Sequence, residues 1–380
     1  MSARLILSLI FIGVFGMSQS SLQASESRGP EAFGKTKDGA AVERFELCGG
    51  GVTAKIISRG ATLTELHAPD RNGKTVDVAL GFDDVAGYES DANQSFGCTT
   101  GRVCNRIAKG RFTLGGKTYQ LAINNEPNHL HGGPTRSLAQ VVWRGEQVKT
   151  DHGPGVKFTY TSPDGEEGYP GNVDFTTTYA INDQGELRID WTATTDQATP
   201  VNVTNHTYFN LAGHGSPTVL DHRLTLNTDR YTPVDAGLIP TGKLEPVAGL
   251  PIDFHSSPAV RIGDRIAQLD AAPTQGYDHN FVIARKPEEA GKLVLAATLS
   301  EPTSGRVLKV LTTQPGVQLY TGNFLHGQKG KAGATYARRS ACCLETQHFP
   351  DTVNHANFPT IILQPGKKYH ETCLYALSAE

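Results

Sequence analysis

The stretch VDFTTTYAINDQGELRIDWTA, Val173 to Ala193, decides the fold class. Val173, Phe175, Thr177, Tyr179 and Ile181 alternate with mostly polar neighbours. Asn182-Asp183-Gln184-Gly185 then makes a hairpin-type turn, and Leu187, Ile189, Trp191 and Ala193 resume the same period. Successive side chains of an extended chain point to opposite faces, so a period of two marks a strand with one buried face. Two such runs joined by a tight polar turn predict an antiparallel hairpin.

The pattern extends in both directions. Val156, Phe158 and Tyr160 alternate upstream, followed by turns at Pro163-Asp164-Gly165 and Pro170-Gly171. Short runs of the same kind occur at residues 53–57, 293–299, 307–311 and 360–363. Residues 262–269 are the one helix candidate, and it is short. The 380 residues include 41 glycines and 21 prolines, which suits many short strands and tight turns. No Pro/Ser-rich linker interrupts the chain and no repeat of 20–50 residues stands out. The expectation is one large all-β domain over residues 41–380, a sandwich or closed sheet.

The N-terminus is different in kind. Arg4 precedes the apolar run Leu5 to Phe15, which leads into SLQASES. A basic start, a short apolar core and a small-residue end describe a secretory signal peptide, here residues 1–24. The run is shorter than the roughly 20 residues that span a bilayer. Residues 25–40 are polar and are expected to form a flexible lead-in. The predicted destination is therefore outside the cytoplasm, periplasmic or secreted, with no membrane attachment once the signal is removed. Six cysteines do not form a disulfide framework by spacing, and buried free thiols are the simpler expectation. A Cys98–Cys104 link stays open. Net charge is −3 and no Lys/Arg block occurs, so nucleic acid is not a predicted partner.

Several side chains could carry chemistry. On a strand running from Pro200 to Phe209, His206 would lie with Asn202, Thr204 and Tyr208 on a polar face, opposite Val201 and Val203. Asn202 and Asn205 also begin glycosylation sequons. Glu345 shares a strand face with Cys343 and Gln347, where partial desolvation would raise a carboxyl pKa toward the useful range for a base. His131 precedes Gly132-Gly133, which lets backbone approach a ligand closely. His129 and His131 form an H-x-H pair, but no third metal ligand is evident nearby, and no metal is predicted. The Arg106 fork, next to Asn105, suits a vicinal diol. Asp278 can accept from hydroxyls, and the Gln318 amide can both donate and accept. Each also has an ordinary structural reading: a salt bridge for Arg106, a turn cap for Asp278, an exposed strand residue for Glu345.

Read together, GRVCNRIAKGRF (Gly101 to Phe112), HLHGG (His129 to Gly133), NVTNHTYFNLAGH (Asn202 to His214), GYDHNF (Gly276 to Phe281), QPGVQLYTGNF (Gln314 to Phe324) and CLETQHFPD (Cys343 to Asp351) resemble the aldose 1-epimerases, or galactose mutarotases. The resemblance covers nearly everything from Phe45 to Tyr375. It implies a large twisted antiparallel β-sandwich with few short helices and a site on one concave face. It also implies interconversion of the α and β anomers of a free aldose, with Glu345 as general base, His206 as general acid and His131 assisting at the ring oxygen. Asn105, Arg106, Asp278 and Gln318 would hold hydroxyls. No cofactor is implied, in keeping with the lack of a GxGxxG, Walker A or GxSxG string. The implied partner is a monosaccharide, and the implied state a monomer or loose homodimer. The alternatives are a sugar-phosphate epimerase, a non-catalytic sugar-binding module and a glycoside hydrolase or lyase. Arg102, Arg106 and Arg111 would serve the first, and Asp278 with Glu345 the third.

Overall fold

A computed structural model describes residues 24–255 and 258–380. The signal peptide expected over residues 1–24 falls, except for Ala24, outside the described residues.

The predicted hairpin is present as the strands Val173–Ile181 and Glu186–Thr195, paired antiparallel with Tyr179 opposite Ile189 and Thr177 opposite Trp191. It sits inside a nine-stranded sheet. That sheet begins with Arg144–Thr150 and Gly153–Ser162, continues beyond the hairpin with Tyr369–Ala379, Arg306–Thr312 and Val294–Ser300, and ends with Arg223–Leu226 and Val260–Arg261. A five-stranded sheet runs in chain order from Glu26–Lys35 to Thr75–Asp77. A six-stranded sheet is ordered Tyr208–Phe209, Cys342–Gln347, Gly316–Tyr320, Asp278–Val282, Arg230–Tyr231 and Glu245–Pro246. Every paired strand in these sheets is antiparallel.

One apolar core unites the three sheets. It takes Leu47, Ile56 and Leu66 from the five-stranded sheet, Phe158, Ile189, Trp191 and Val310 from the nine-stranded sheet, and Phe281, Val317, Leu319 and Leu344 from the six-stranded sheet. The architecture is a β-sandwich, with the six-stranded sheet giving its apolar face to the core. The face left over carries Asp278, Gln318, Tyr320, Cys343 and Glu345.

Three sequence expectations change. The first concerns residues 25–40, which are not a flexible lead-in: Glu26–Lys35 is a strand along Ala41–Gly49, with register shifts between Arg28 and Glu31 and between Ala32 and Gly34. No alternation announces it, because its burial comes to little. What holds it is the open backbone edge of the neighbouring strand, the Arg28–Glu46 ion pair at 3.2 Å and the Gln147 amide donating to the Ser27 carbonyl at 2.8 Å. The second concerns Pro200 to Phe209, which is not one strand. Thr199–Pro200, Thr204–Asn205 and Tyr208–Phe209 pair in turn with Ile362–Leu363, Thr99–Thr100 and Cys342–Gln347. The chain crosses from one sheet to another here, so both side-chain faces are buried. Asn202 and Asn205 are among the most buried residues and serve as backbone clamps, which leaves the sequons closed to modification. The third concerns residues 262–269, which form two short 3₁₀ turns, Ile262–Asp264 and Ile266–Leu269. The α-helix among the described residues is Val85–Tyr88, capped by Asp84 accepting from the Gly87 amide at 2.8 Å.

All six cysteines are free, five of them buried, so Cys98 and Cys104 are not linked. Arg102 does not share a site face with Arg106. Its guanidinium is buried and donates to the Ser162 hydroxyl and to the carbonyls of Ser162, Pro163, Pro170 and Gly171. Replacing it leaves five buried acceptors without a donor. Arg102→Leu is expected to destabilise the fold by about 3–5 kcal/mol, read as a shifted urea midpoint with an unchanged m-value.

Candidate active site

The strand Cys342–Gln347 is flanked by Tyr208–Phe209 and Gly316–Tyr320. Its register sets Gln318 opposite Glu345, and Cys343 opposite both Tyr320 and Tyr208. One strand further, Asn280 stands opposite Gln318 and Asp278 opposite Tyr320. Two cross-strand rows of polar and aromatic side chains thus lie on the face turned away from the core. Cα spacing between neighbouring strands of about 5 Å brings such rows into side-chain contact.

Loops from elsewhere close over this face. The chain at Asn205-His206-Thr207 is fixed by His206 N–H donating to the Cys98 carbonyl at 2.9 Å and Gly97 N–H donating to the His206 carbonyl at 3.0 Å. The His206 ring stacks on Tyr208, centroids 5.1 Å apart, and meets the His131 ring edge-on at 5.1 Å. His131 has a left-handed φ of 51° and is doubly tied to Asn105. Its N–H donates to the Asn105 carbonyl at 3.0 Å, and its Nδ1 accepts from the Asn105 N–H at 3.1 Å. An Nδ1 that accepts leaves the proton of neutral His131 on Nε2. The following Gly132, φ 83°, lies so close to Gly101 that a Cβ would fall 1.8 Å from its carbonyl oxygen. Glycine is required there by space as well as by φ.

The resulting cavity is about 510 Å³ and is lined by Asn105, Arg106, His131, His206, Asp278 and Glu345, together with Tyr208, Tyr320 and Phe324. Of the seven site residues expected from the sequence, six therefore converge on one space. Gln318 does not line this space, and its amide donates to the Asp278 carboxylate at 2.6 Å. Arg106 is aimed by Nε–H donating to the Asn125 side chain at 3.0 Å. His129 belongs to the scaffold. Its Nδ1 lies 2.7 Å from the Ala122 carbonyl and its Nε2 2.9 Å from the Tyr169 hydroxyl, so the H-x-H pair does not converge. The ligating atoms of His131, His206 and Glu345 do come within 4.8 Å of one another. A cation placed among them would stand in the field of Arg106, which acts on both Glu345 and His131.

Electrostatics separate the two central groups. Glu345 is 2% exposed, and its Oε2 has no protein hydrogen-bond partner. Burial, then the neighbouring Asp278 charge, push its carboxyl well above the usual carboxylate range, and Arg106 opposes them. Burial pushes His206 down to about 4. His206 Nε2 lies 3.6 Å from Glu345 Oε2. Asp278 is itself raised by burial, with Arg106 and Gln318 partly offsetting this. His131 is held well below the ordinary imidazole value by burial, and then by the His206 and Arg106 charges.

Sequence reasoning did not find the aromatic wall or the supports. Tyr320 and Phe324 lie inside the string QPGVQLYTGNF, and their rings stack at 6.1 Å. Phe324 is among the most exposed large apolar residues. Asn93 to Ser95 and Ala236 to Leu238 also line the cavity and carry no local pattern.

The aldose 1-epimerase family model matches residues 43–376. The chain belongs to the aldose 1-epimerase family. It is 48% identical to the galactose mutarotase of Mus musculus over 341 residues, covering 90% of this chain and 95% of that protein. It is 36% identical to the aldose 1-epimerase of Escherichia coli, covering 87% of this chain and 93% of that one. Among solved structures, an aldose epimerase homologue from C. elegans superposes with a TM-score of 0.78 at 33% identity, over 87% of this chain and 96% of that chain. A galactose 1-epimerase from Lactobacillus acidophilus gives 0.78 at 26% identity, over 93% and 98%.

Because the Asp278 charge raises Glu345, removing it lowers the Glu345 pKa. In Asp278→Asn, the carboxyl carbon resonance of Glu345 is expected to titrate at lower pH than in the wild type. A Glu345 titration that stays in place would disprove the coupling.

Proposed function

We propose that this chain is an isomerase that interconverts the α and β anomers of free aldoses of the glucose and galactose type, with Glu345 and His206 sharing one proton as the acid/base pair. The observation that carries this reading is the pair itself: a desolvated carboxyl and a desolvated imidazole 3.6 Å apart on one cavity wall, with pKa values driven in opposite directions.

Anomer exchange opens a hemiacetal and closes it on the other face. The base takes the proton of the C1 hydroxyl while the acid protonates the ring oxygen. Glu345 as carboxylate and His206 as imidazolium begin the step, and carboxylic acid and neutral imidazole end it. That final arrangement is the one burial favours at both residues, so desolvation aids ring opening. The aldehyde turns about C1–C2, the two groups exchange roles, and the ring recloses. Arg106 stabilises the carboxylate needed at the start, and Asp278 accepts from a sugar hydroxyl. His131 presents Nε2–H toward the ring oxygen, because its Nδ1 is occupied by the Asn105 amide. Proton transfer by each positioned group supplies roughly 10²–10⁴-fold.

Polarimetry tests this directly. Fresh α-D-galactose or α-D-glucose should relax faster to the same rotation with the wild type. Glu345→Gln and His206→Ala should each lose at least about 10²-fold in kcat. No acceleration by the wild type would favour a sugar-binding role. The active pair holds one proton, so activity should fall on acidification through the low His206 pKa, near 4, where both groups are protonated. It should fall again at high pH, when the raised Glu345 carboxyl ionises and no acid remains. Asp278, Arg106 and His131 face this pair and set the position of both limbs.

The reading includes export. Arg4, the apolar run Leu5 to Phe15 and the small-residue stretch ending in Ala24 support passage across a membrane and cleavage near Ala24. Intact-mass measurement of full-length protein recovered from a bacterial periplasm should show loss of about residues 1–24. An uncleaved cytoplasmic product would overturn it.

A further inference from the structure

The mechanism above leaves Nδ1 of His206 unassigned. Nε2 faces Glu345, so whatever meets Nδ1 decides which nitrogen carries the proton of the neutral ring. That partner is Cys343, whose Sγ lies 3.6 Å from His206 Nδ1. We propose that Cys343 is a positioning residue whose sulfur accepts from Nδ1–H of His206, holding the neutral ring in the tautomer that leaves Nε2 free to give and take the proton it exchanges with the sugar.

The geometry argues for this in three steps. Cys343 sits two residues before Glu345, so both side chains project from the same face of one strand. The register that sets Glu345 beside Gln318 also sets Cys343 between Tyr208 and Tyr320, directly under the imidazole. The ring has little freedom to seek another partner. Tyr208 covers one face, the His131 ring abuts it at 77°, and Tyr320 adds an edge contact at 6.5 Å. Nδ1 is thereby held against sulfur.

The chemistry of a thiol suits the task. Cys343 is fully buried, and burial keeps it a thiol, assisted by the Glu345 charge. Its sulfur lone pair accepts from Nδ1–H of the neutral ring, which leaves Nε2 unprotonated on the side of Glu345. When His206 becomes imidazolium by taking a proton at Nε2, Nδ1–H keeps its bond to sulfur, and loss of the Nε2 proton to the ring oxygen restores the neutral state. No heavy atom moves between the two states. A carboxylate in this position would instead bind the imidazolium strongly and raise its pKa, making His206 a weaker acid. Sulfur gives direction to the ring without adding charge.

This inference rests on the acid/base reading of His206, and the test keeps the two apart. ¹⁵N-edited NMR of the wild type, without sugar and near neutral pH, should show the His206 pair as Nδ1 protonated and Nε2 unprotonated. In Cys343→Ala the two nitrogens should move toward averaged shifts, kcat should fall about tenfold, and KM should change less than twofold. Cys343→Ser restores a donor-acceptor hydroxyl and should recover the tautomer and most of kcat. Thermal melting of each variant identifies any loss that is merely one of folding, and the tautomer is then read on the folded fraction. A wild type with Nδ1 unprotonated, or a Cys343→Ala protein with wild-type tautomer and kcat, overturns the role of Cys343 and leaves the acid/base pair standing. A wild type that accelerates no mutarotation overturns the acid/base reading, while the nitrogen shifts still report the thiol contact.

Discussion

The pairing register of Gly316–Tyr320 with Cys342–Gln347 is the constraint on which the site depends. A slip of one residue would turn every side chain of the moved strand to the other face. If Cys342–Gln347 were the strand that moved, Leu344 would leave the core and Glu345 would enter it unpaired. Burial of Val317, Leu319, Cys342 and Leu344 therefore does more than stabilise the sheet. It sets the height and direction of Glu345 and Cys343 together. The catalytic face is specified by the apolar face behind it.

Desolvation then acts on the groups that register has placed. A carboxyl and an imidazole in water would sit at their ordinary values, with the carboxyl the stronger acid. Here the low-dielectric wall penalises charge on both, raising one and lowering the other. The order of the two groups is inverted, so that the neutral arrangement of the pair becomes the favoured one. Asp278 adds to the burial effect on Glu345, and Arg106 opposes it. The supports behind them are as necessary. Asn125 aims Arg106, Gln318 holds Asp278, and the Asn105 amide sets the His131 tautomer.

The irregular parts of the chain are where local pattern and tertiary demand part company. Thr199 to Phe209 pairs with three different partners in eleven residues, because it carries the chain from one sheet across to the cavity wall. Its side chains are buried on both faces, so an alternation rule has nothing to read. Glu26–Lys35 shows the reverse case: a strand with a mostly polar, exposed sequence, recruited by an open backbone edge. Arg102 and Arg106, four residues apart, end in different environments, one tied to a ring of buried carbonyls and one at the cavity.

By itself the sequence determined the all-β class and the hairpin at Val173 to Thr195, and it singled out seven candidate residues, six of which the fold gathers around one cavity, since alternation and motif strings are local properties of the chain. Glu345, His206 and His131 were legible because each sits in a short string of distinctive content. Only the tertiary structure decided that Gln318 donates to Asp278, that His129 is scaffold while His131 lines the cavity, and that Cys343 lies under His206. These are meetings between residues from 7 to 137 positions apart, set by sheet order and register. Spacing along a strand states which face a side chain takes, but not which neighbour the fold will bring to it.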